Sequence, residues 1–344
     1  MPVVPDNPAN GLTVADAGER ELVARVRARA GVPPSFVPVG IGDDAAVIDP
    51  PRGALDIVTT DVMVEGVHFR RDWTTPHAIG AKAIAVNVSD LAAMGAAPRV
   101  VLLSLVLPPA LPLADFDALI DGVVTASTDA GASLVGGNIA RSPGPLVIDV
   151  TAIGAAKRRR VLTRHGGRAG HALYVTGAVG GAAAGLAILE SGADRAALDA
   201  DSAACVARYE RPVARVRCGW MVAARRAASA CMDLSDGLAD AVLQIAAASG
   251  TGAELDAAAI PLEPGSAAWL GRAGSDVISA AIAGGEDYEL LFAVPPRRRK
   301  AFLAATRQSG KLPVTLVGRL TRDSGVTLVR DGVRSTLNSG FRHF

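Results

Sequence analysis

Leu55-Asp56-Ile57-Val58-Thr59-Thr60-Asp61-Val62-Met63-Val64-Glu65-Gly66-Val67-His68-Phe69 is the stretch from which the rest of the chain is best read. An apolar run, Leu55 to Val58, is broken only by Asp56 and then delivers two hydroxyls and a carboxylate together. That is the pattern of a buried strand ending at a polar site. Hydroxyl and carboxylate oxygens side by side suit a hard cation such as Mg²⁺. His68 follows seven residues after Asp61, near enough to line the same cleft. Taken alone, these residues are better explained by a strand running into an ordinary polar turn. The recurrence of the pattern along the chain is what gives it weight.

The chain has 344 residues, enough for two domains with sizeable cores. Half of the residues are hydrophobic and only 4% are aromatic, so the interior is built mostly of Ala, Val and Leu. The 35 basic and 34 acidic residues leave a formal charge of +1, which argues against a general binder of nucleic acid or membrane surfaces. Basic clusters at Lys157–Arg160 and Arg297–Lys300 read as a solvated linker and a helix start. Cys205, Cys218 and Cys231 are spaced thirteen positions apart, which fits neither a disulfide framework nor a zinc site. Buried reduced thiols are expected. Met1 to Gly11 has three prolines and no apolar core, so no signal peptide is expected there. No run approaches the ~18–20 apolar residues of a membrane span. A cytoplasmic protein is the expectation.

Residues 1–17 are expected to form a flexible leader. Glu19–Arg29 has helical spacing. Gly40-Ile41-Gly42-Asp43-Asp44 leads into a short strand, Ala45–Ile48, and Leu55–Asp61 forms the next. A helix then starts with Thr75 as N-cap and Pro76 at its first position, and runs to Met94 with Gly95 as C-cap. Lys82, Asn87, Ser89 and Asp90 sit inside this apolar helix, where a carboxylate is costly to bury unless something cationic meets it. Val100–Leu107 is a strand, Asp115–Ala130 a helix, Ser133–Val135 a strand running into a Gly136-Gly137-Asn138 turn, and Leu146–Ile153 a strand. The order is β-β-α-β-α-β-β, a compact α/β half ending near residue 155. Beyond it the spacing predicts strands at Ala172–Thr176, Cys231-Met232, Ala253–Leu255, Leu290–Val294 and Val314–Leu320. Helices are predicted at Ala182–Leu189, across 198–228 with a break at Arg211-Pro212, at Leu238–Ala248, on either side of Gly274, and at Arg298–Gln308.

The recurring unit is a carboxylate at a strand end beside Gly or Ser: Asp43-Asp44, Asp61, Asp233 with Asp236, and Glu286-Asp287, with Asp90 on a helix. Unit charges ~4 Å apart interact by ~4 kcal/mol at an effective dielectric near 20, so a convergent set needs cations or raised pKa values. Several Mg²⁺ ions carrying polyphosphate would answer that need. Taken singly, each carboxylate also reads as a cap or turn residue, and Asp233 and Asp236 as caps of the helix near Leu238. A phosphate-cradling G-x-x-x-x-G-K-[ST] loop is missing, because the only Gly-Lys pair, Gly310-Lys311, is followed by Leu312. The H-R-D and D-F-G kinase signatures are missing too. Gly177–Gly181, a glycine turn at a helix start, reads either as a phosphate loop or as close packing of helix on sheet.

Five segments, in this order, resemble thiamine-monophosphate kinases: Gly-Ile-Gly-Asp-Asp (40–44), Thr-Thr-Asp…Glu-Gly-Val-His-Phe (59–69), Ala-Val-Asn-Val-Ser-Asp-Leu-Ala-Ala-Met-Gly (85–95), Asp-Leu-Ser-Asp-Gly-Leu (233–238) and Gly-Gly-Glu-Asp-Tyr-Glu-Leu (284–290). Leu162-Thr163-Arg164 and the final Gly-Phe-Arg-His-Phe fit as well. The resemblance runs from about residue 18 to the last. It implies a two-domain α/β (α+β) fold of the aminoimidazole-ribonucleotide-synthetase type. The N-terminal half, 18–155, would carry a mixed sheet with helices, bind ATP and Mg²⁺ and form a homodimer through its sheet. Residues 156–344 would complete the nucleotide and substrate site. The implied reaction is direct transfer of the ATP γ-phosphoryl group to thiamine monophosphate, with several Mg²⁺ ions and no protein nucleophile.

The same resemblance implies residue roles. Asp44, Thr59, Thr60, Asp61, Asp90 and Asp233 would ligate Mg²⁺, with Asp236 on a further ion. Gly137, Asn138, Arg164 and Ser235 would contact the nucleotide, and His68, Glu286 and Phe341 the thiamine phosphate. One departure stands out. Where the family usually has Gly-Gly-Asp, this chain has Gly136-Gly137-Asn138, whose amide supplies a ligand oxygen without charge. The rival readings are another superfamily member, such as a hydrogenase-maturation factor or the purine-pathway synthetase, and a relative that binds nucleotide or thiamine phosphate without turnover. The segments at 233–238 and 284–290 favour the thiamine enzyme over the first, and Asn138 is the one feature that favours the second.

Overall fold

The first helix, α1 (Val14–Ala30), begins where Thr13 and Asp16 cap each other's backbone N–H groups. Gly18 then leaves helical geometry at φ 74°, so the periodic spacing becomes continuous only from Glu19. This corrects the expected leader, because residues 14–17 are already helical. The computed structural model describes residues 11–274 and 276–337.

In the first half, α1 is followed by β1 (Leu55–Val64), α2 (Pro76–Ala93), β2 (Ala97–Leu107), α3 (Leu113–Ala130), β3 (Ser133–Arg141) and β4 (Val147–Ala156). The start of α2 is as expected, with the Thr75 hydroxyl accepting the Ala78 N–H at 3.3 Å. Helices α2 and α3 approach backbone to backbone: a Cβ on Gly122 would lie 2.0 Å from the His77 carbonyl oxygen. Four strands form a sheet in the order β1-β4-β2-β3. Strand β3 does not end at Val135 in a glycine turn. It continues through Gly136, Gly137 and Asn138, pairing parallel to β2 with Leu103 opposite Gly137 and Ser104 opposite Asn138. The expected strand at Ala45–Ile48 is a single bridge, Val39 to Val47.

The second half holds β5 (Ala172–Thr176), α4 (Gly181–Glu190), α5 (Ala200–Glu210), α6 (Val216–Ala224), β6 (Ala230–Asp233), α7 (Gly237–Ser249), β7 (Gly252–Asp256), α8 (Ser266–Leu270), α9 (Val277–Ala283), β8 (Leu290–Val294), α10 (Arg299–Gln308), β9 (Val314–Thr321), β10 (Val326–Arg330) and β11 (Val333–Thr336). They build a seven-stranded sheet, β11-β10-β7-β9-β5-β8-β6. Strands β6 and β8 are buried at every position, as continuous apolar runs covered on both faces are. Alternation sorts their side chains. Leu173, Val175, Met232, Leu291 and Ala293 pack with Leu238, Val242 and Ile245 of α7. Tyr174, Cys231, Leu290, Phe292 and Val294 face Cys218 and Val222 of α6 and Phe302 of α10, whose ring lies 5.0 Å from that of Tyr174. All three cysteines are free and buried, as expected.

The described residues divide into two compact units that are not separated by one cut. Those up to Pro50, with Thr59–Asn87 and Arg99–Ile153, make one, and Pro51–Val58, Val88–Pro98 and those from Gly154 onward the other. Among the described residues, no helix is long and apolar enough to cross a membrane.

Candidate active site

In the first unit, β1 presents its polar residues on two faces. Thr59 and Asp61 are half-buried on one, whereas Thr60 is exposed on the other, since successive side chains alternate along a strand. The Asp61 N–H donates to the Asn87 side-chain oxygen at 3.1 Å, which ties the strand to buried Asn87 of α2. The Thr60 hydroxyl donates to Asp149 Oδ1 of β4 at 2.9 Å and accepts from the Thr151 hydroxyl at 3.2 Å. The three residues therefore do not form one cluster. Thr59 and Asp61 fit a shared ligand set, and the Thr60 side chain, expected to join them, is engaged by β4 instead. His68 folds back so that its Nδ1 accepts the Val64 N–H at 3.1 Å, while the ammonium of buried Lys82 reaches the His68 carbonyl oxygen at 3.1 Å. Asp44 is exposed on its loop, and its N–H donates to Asp43 Oδ1. Asn138 is exposed on β3. Beside it Gly137 is dictated by packing, because a Cβ there would lie 1.8 Å from the Leu103 carbonyl oxygen.

In the second unit, the segments at 233–238 and 284–290 clamp each other through their backbones. The Glu286 N–H donates to the Ser235 carbonyl at 2.7 Å, and the Leu234 N–H to the Glu289 carbonyl at 2.8 Å. A Cβ on Gly285 would lie 2.4 Å from the Ser235 carbonyl oxygen, and one on Gly237, at φ 90°, 2.6 Å from that of Gly284. Glycine is obligatory at both places for that reason. The clamp brings Asp233, Ser235, Asp236 and Glu286 to one end of β6 and β8. Asp233 is only 3% exposed and accepts the Ser89 hydroxyl of α2 at 2.7 Å. Asp236 occupies the N-cap position of α7 without making a capping hydrogen bond, so the reading of this pair as helix caps does not hold. Asp90, next to Ser89, is half-buried. Arg164 is exposed and donates to the Gln244 side chain of α7 at 2.5 Å. Phe341 lies outside the described residues.

Beneath the clamp lies a buried ionic group whose pairing the sequence did not disclose. Asp287 accepts the N–H groups of Gly180 at 2.7 Å and Ala182 at 3.0 Å. The Gly180 N–H of the glycine turn 177–181 and the Ala182 N–H just after it are thus spent on the protein's own carboxylate, which takes those two donors from the phosphate-loop reading. Burial pushes the Asp287 carboxyl up to about 6, against the opposing pull of those two N–H groups and of Arg208. Fully buried Glu289 accepts from Thr176 at 2.6 Å, from Arg215 Nε at 2.7 Å and from Arg208 at 3.1 Å. Glu286 and Tyr288, on either side of Asp287, are held at φ 68° and 48°, in the left-handed region. Two arginines seven residues apart around Pro212 were the available hint.

Among the described residues, no three His, Cys, Asp or Glu side chains form a ready-made metal cage. The donor chemistry nonetheless fits Mg²⁺: every proposed side-chain ligand is oxygen, and carboxylates come singly or in pairs beside hydroxyls. Mg²⁺ is ordinarily bound that way, with waters and substrate phosphates completing its shell.

Models of AIR synthase related proteins match both halves, the N-terminal domain over residues 42–156 and the C-terminal domain over 168–331. The thiamine-monophosphate kinase of Escherichia coli (strain K12) is 38% identical over 330 residues, covering 95% of this chain and 98% of that protein. The chain belongs to the thiamine-monophosphate kinase family.

Solved structures of this family share its architecture. Thiamine-monophosphate kinase from Stenotrophomonas maltophilia is 37% identical, with a TM-score of 0.79 over 91% of this chain and 96% of that one. AaThiL complexed with AMPPCP and TMP is 32% identical, with a TM-score of 0.75 over 97% of this chain and 99% of that one. The two-domain, mixed α/β fold of the AIR synthase type is thus the fold of this member of the thiamine-monophosphate kinase family.

Proposed function

We propose that this protein transfers the γ-phosphoryl group of ATP to thiamine monophosphate, giving thiamine diphosphate and ADP by direct in-line attack of the acceptor phosphate oxygen. The observation that carries the reading is the backbone clamp between residues 233–238 and 284–290, which brings Asp233, Asp236, Ser235 and Glu286 to one strand end in a chain of this family. When bound, Mg²⁺ would neutralise the phosphates and align them for transfer. Asp44, Thr59, Asp61, Asn138, Asp90, Asp233 and Asp236 would hold the ions. Ser235, Arg164 and the Gly137-Asn138 backbone would bind the nucleotide. Glu286, His68 and Phe341 would bind the thiamine phosphate, Glu286 being fixed in direction by the left-handed backbone that Asp287 supports. No side chain is needed as nucleophile.

Val58 and Val62 of β1 are 61% and 49% exposed, on the face that also carries Thr60. Exposed valines on that outward face, interspersed with Asp56 and Thr60, support a homodimer formed through the N-terminal sheet. The activity is tested by incubating the protein with Mg-ATP and thiamine monophosphate and separating the thiamine phosphates. Thiamine diphosphate is expected. Tight binding of both ligands without product would favour a binding relative, the reading to which Asn138 points.

A further inference from the structure

Strand polarity gives β5, β6 and β8 two distinct ends. β5 and β6 both run antiparallel to β8. The end formed by Thr176, Asp233 and Leu290 leads to the candidate active site. The opposite end is formed by His171, Ser229 and Pro295, the residues that precede β5, precede β6 and follow β8. At ~3.3 Å per residue along a strand, the two ends lie roughly 15 Å apart.

At that far end is a cavity of about 490 Å³ lined by Gly166, Arg168, His171, Ser229, Pro295, Pro296 and Arg297. Two arginines and a histidine are among its lining residues, and among the described residues no acidic one lines it. The imidazole is fixed in place. His171 Nδ1 lies 2.8 Å from the Ser229 hydroxyl and accepts the Arg168 N–H at 3.2 Å, so Nε2 is the ring nitrogen left to a ligand. The Ser229 hydroxyl also lies 2.9 Å from the Ala293 carbonyl oxygen, so its one proton is shared between that oxygen and Nδ1. The loop reaches this position through Gly166, at φ 111°, where a Cβ would lie 2.6 Å from the Ser229 carbonyl oxygen. Burial first, then the charges of Arg168 and Arg297, hold His171 below the ordinary histidine range. Cations gathered without a counter-charge are stabilised when an anion enters, and guanidinium forks match phosphate oxygens in particular.

We infer that the cavity bounded by Arg168, His171 and Arg297 is a second anion site, separate from the phosphoryl-transfer centre, that takes the phosphate groups of a small diphosphate. Pro295 and Pro296 give it one apolar wall, against which an organic portion of the ligand packs. The inference does not depend on the reaction proposed above.

The test follows the ring Cε1–H resonance of His171 by NMR in the full-length protein without added metal, assigned by its loss in His171→Gln. Inorganic pyrophosphate is one probe and thiamine diphosphate the other, with sodium chloride matched for ionic strength as the control. A saturable shift with pyrophosphate, weakened about tenfold or more in Arg168→Ala/Arg297→Ala, is expected, as two charge-assisted contacts are lost. Saturation by thiamine diphosphate alone would mean that the proline wall selects an organic diphosphate. Phosphoryl transfer by the double variant should stay near wild type. No saturable shift with either probe, or a midpoint unchanged in the double variant, overturns the site.

Discussion

The carboxylate of Asp287 accepts the Gly180 N–H at 2.7 Å, so the turn that opens α4 is closed by a side chain 107 residues further along the chain. This contact joins the Gly-Gly-Glu-Asp-Tyr-Glu segment to the glycine turn, and it accounts for a carboxylate that is only 4% exposed. It also gives a pH signature. The folded-state value of about 6 lies above the ordinary 3.8, so the folded protein holds the proton more tightly than the unfolded chain. Stability from this group is therefore fullest below pH ~4 and is lost as pH rises through ~6, by about 3 kcal/mol. Asp287→Asn removes the titration. The stability difference between wild type and Asp287→Asn, from urea unfolding at a series of pH values, should move by about that amount across the window. A difference independent of pH would contradict the buried, titrating carboxylate.

Thr59 and Thr60 are expected to part company. Thr59 shares a face of β1 with Asp61, and the Thr60 hydroxyl is bound to Asp149 and Thr151 on the other. Thr59→Val should raise the Mg²⁺ concentration needed for half-maximal activity severalfold, whereas Thr60→Val should leave it within about twofold. Equal effects from the two would show that the Thr60 side chain does reach the metal.

Strand alternation marks the limit of what the sequence discloses here. Adjacent hydroxyls and a carboxylate look like one cluster in the chain, but a period of two sends Thr60 away from its neighbours. The buried strands β5 and β8 were legible at their full extent, because an unbroken apolar run ends where a sheet covered on both faces ends. The hairpin of β10 and β11 went unread although Asp331-Gly332, at φ 50° and 79°, is a strong hairpin signal, because its strands are short and carry arginines. The ionic group of Asp287, Glu289, Arg208 and Arg215 depends on partners 74 to 81 residues apart, which no local pattern discloses. Glycines were legible as turns and illegible as contacts: Gly137 lies inside a strand because of Leu103.

Asn138 is the position where a missing charge is restored most simply. Asn138→Asp places a carboxylate on the exposed edge of β3 without changing side-chain volume. Half-saturation by Mg²⁺ should fall by about tenfold, equivalent to ~1.4 kcal/mol. An unchanged Mg²⁺ titration would mean that this position holds no ion.

The exposed valines of β1 predict an assembly. Val62→Asp puts a charge beside Val58 on the outward face of β1 and should convert a dimer to a monomer in sedimentation equilibrium, with the thermal transition retained. An unchanged mass would place the interface elsewhere.

The central claim is direct phosphoryl transfer supported by the carboxylates at the 233–238 clamp. ATP labelled in its γ-phosphoryl group, supplied with thiamine monophosphate and Mg²⁺, should pass its label to the terminal phosphate of thiamine diphosphate, one for each ADP formed. Asp233→Asn, which retains an acceptor for Ser89, should fold normally and lose more than about a hundredfold in turnover. Label appearing only in inorganic phosphate, or near-normal turnover by Asp233→Asn, would contradict the account.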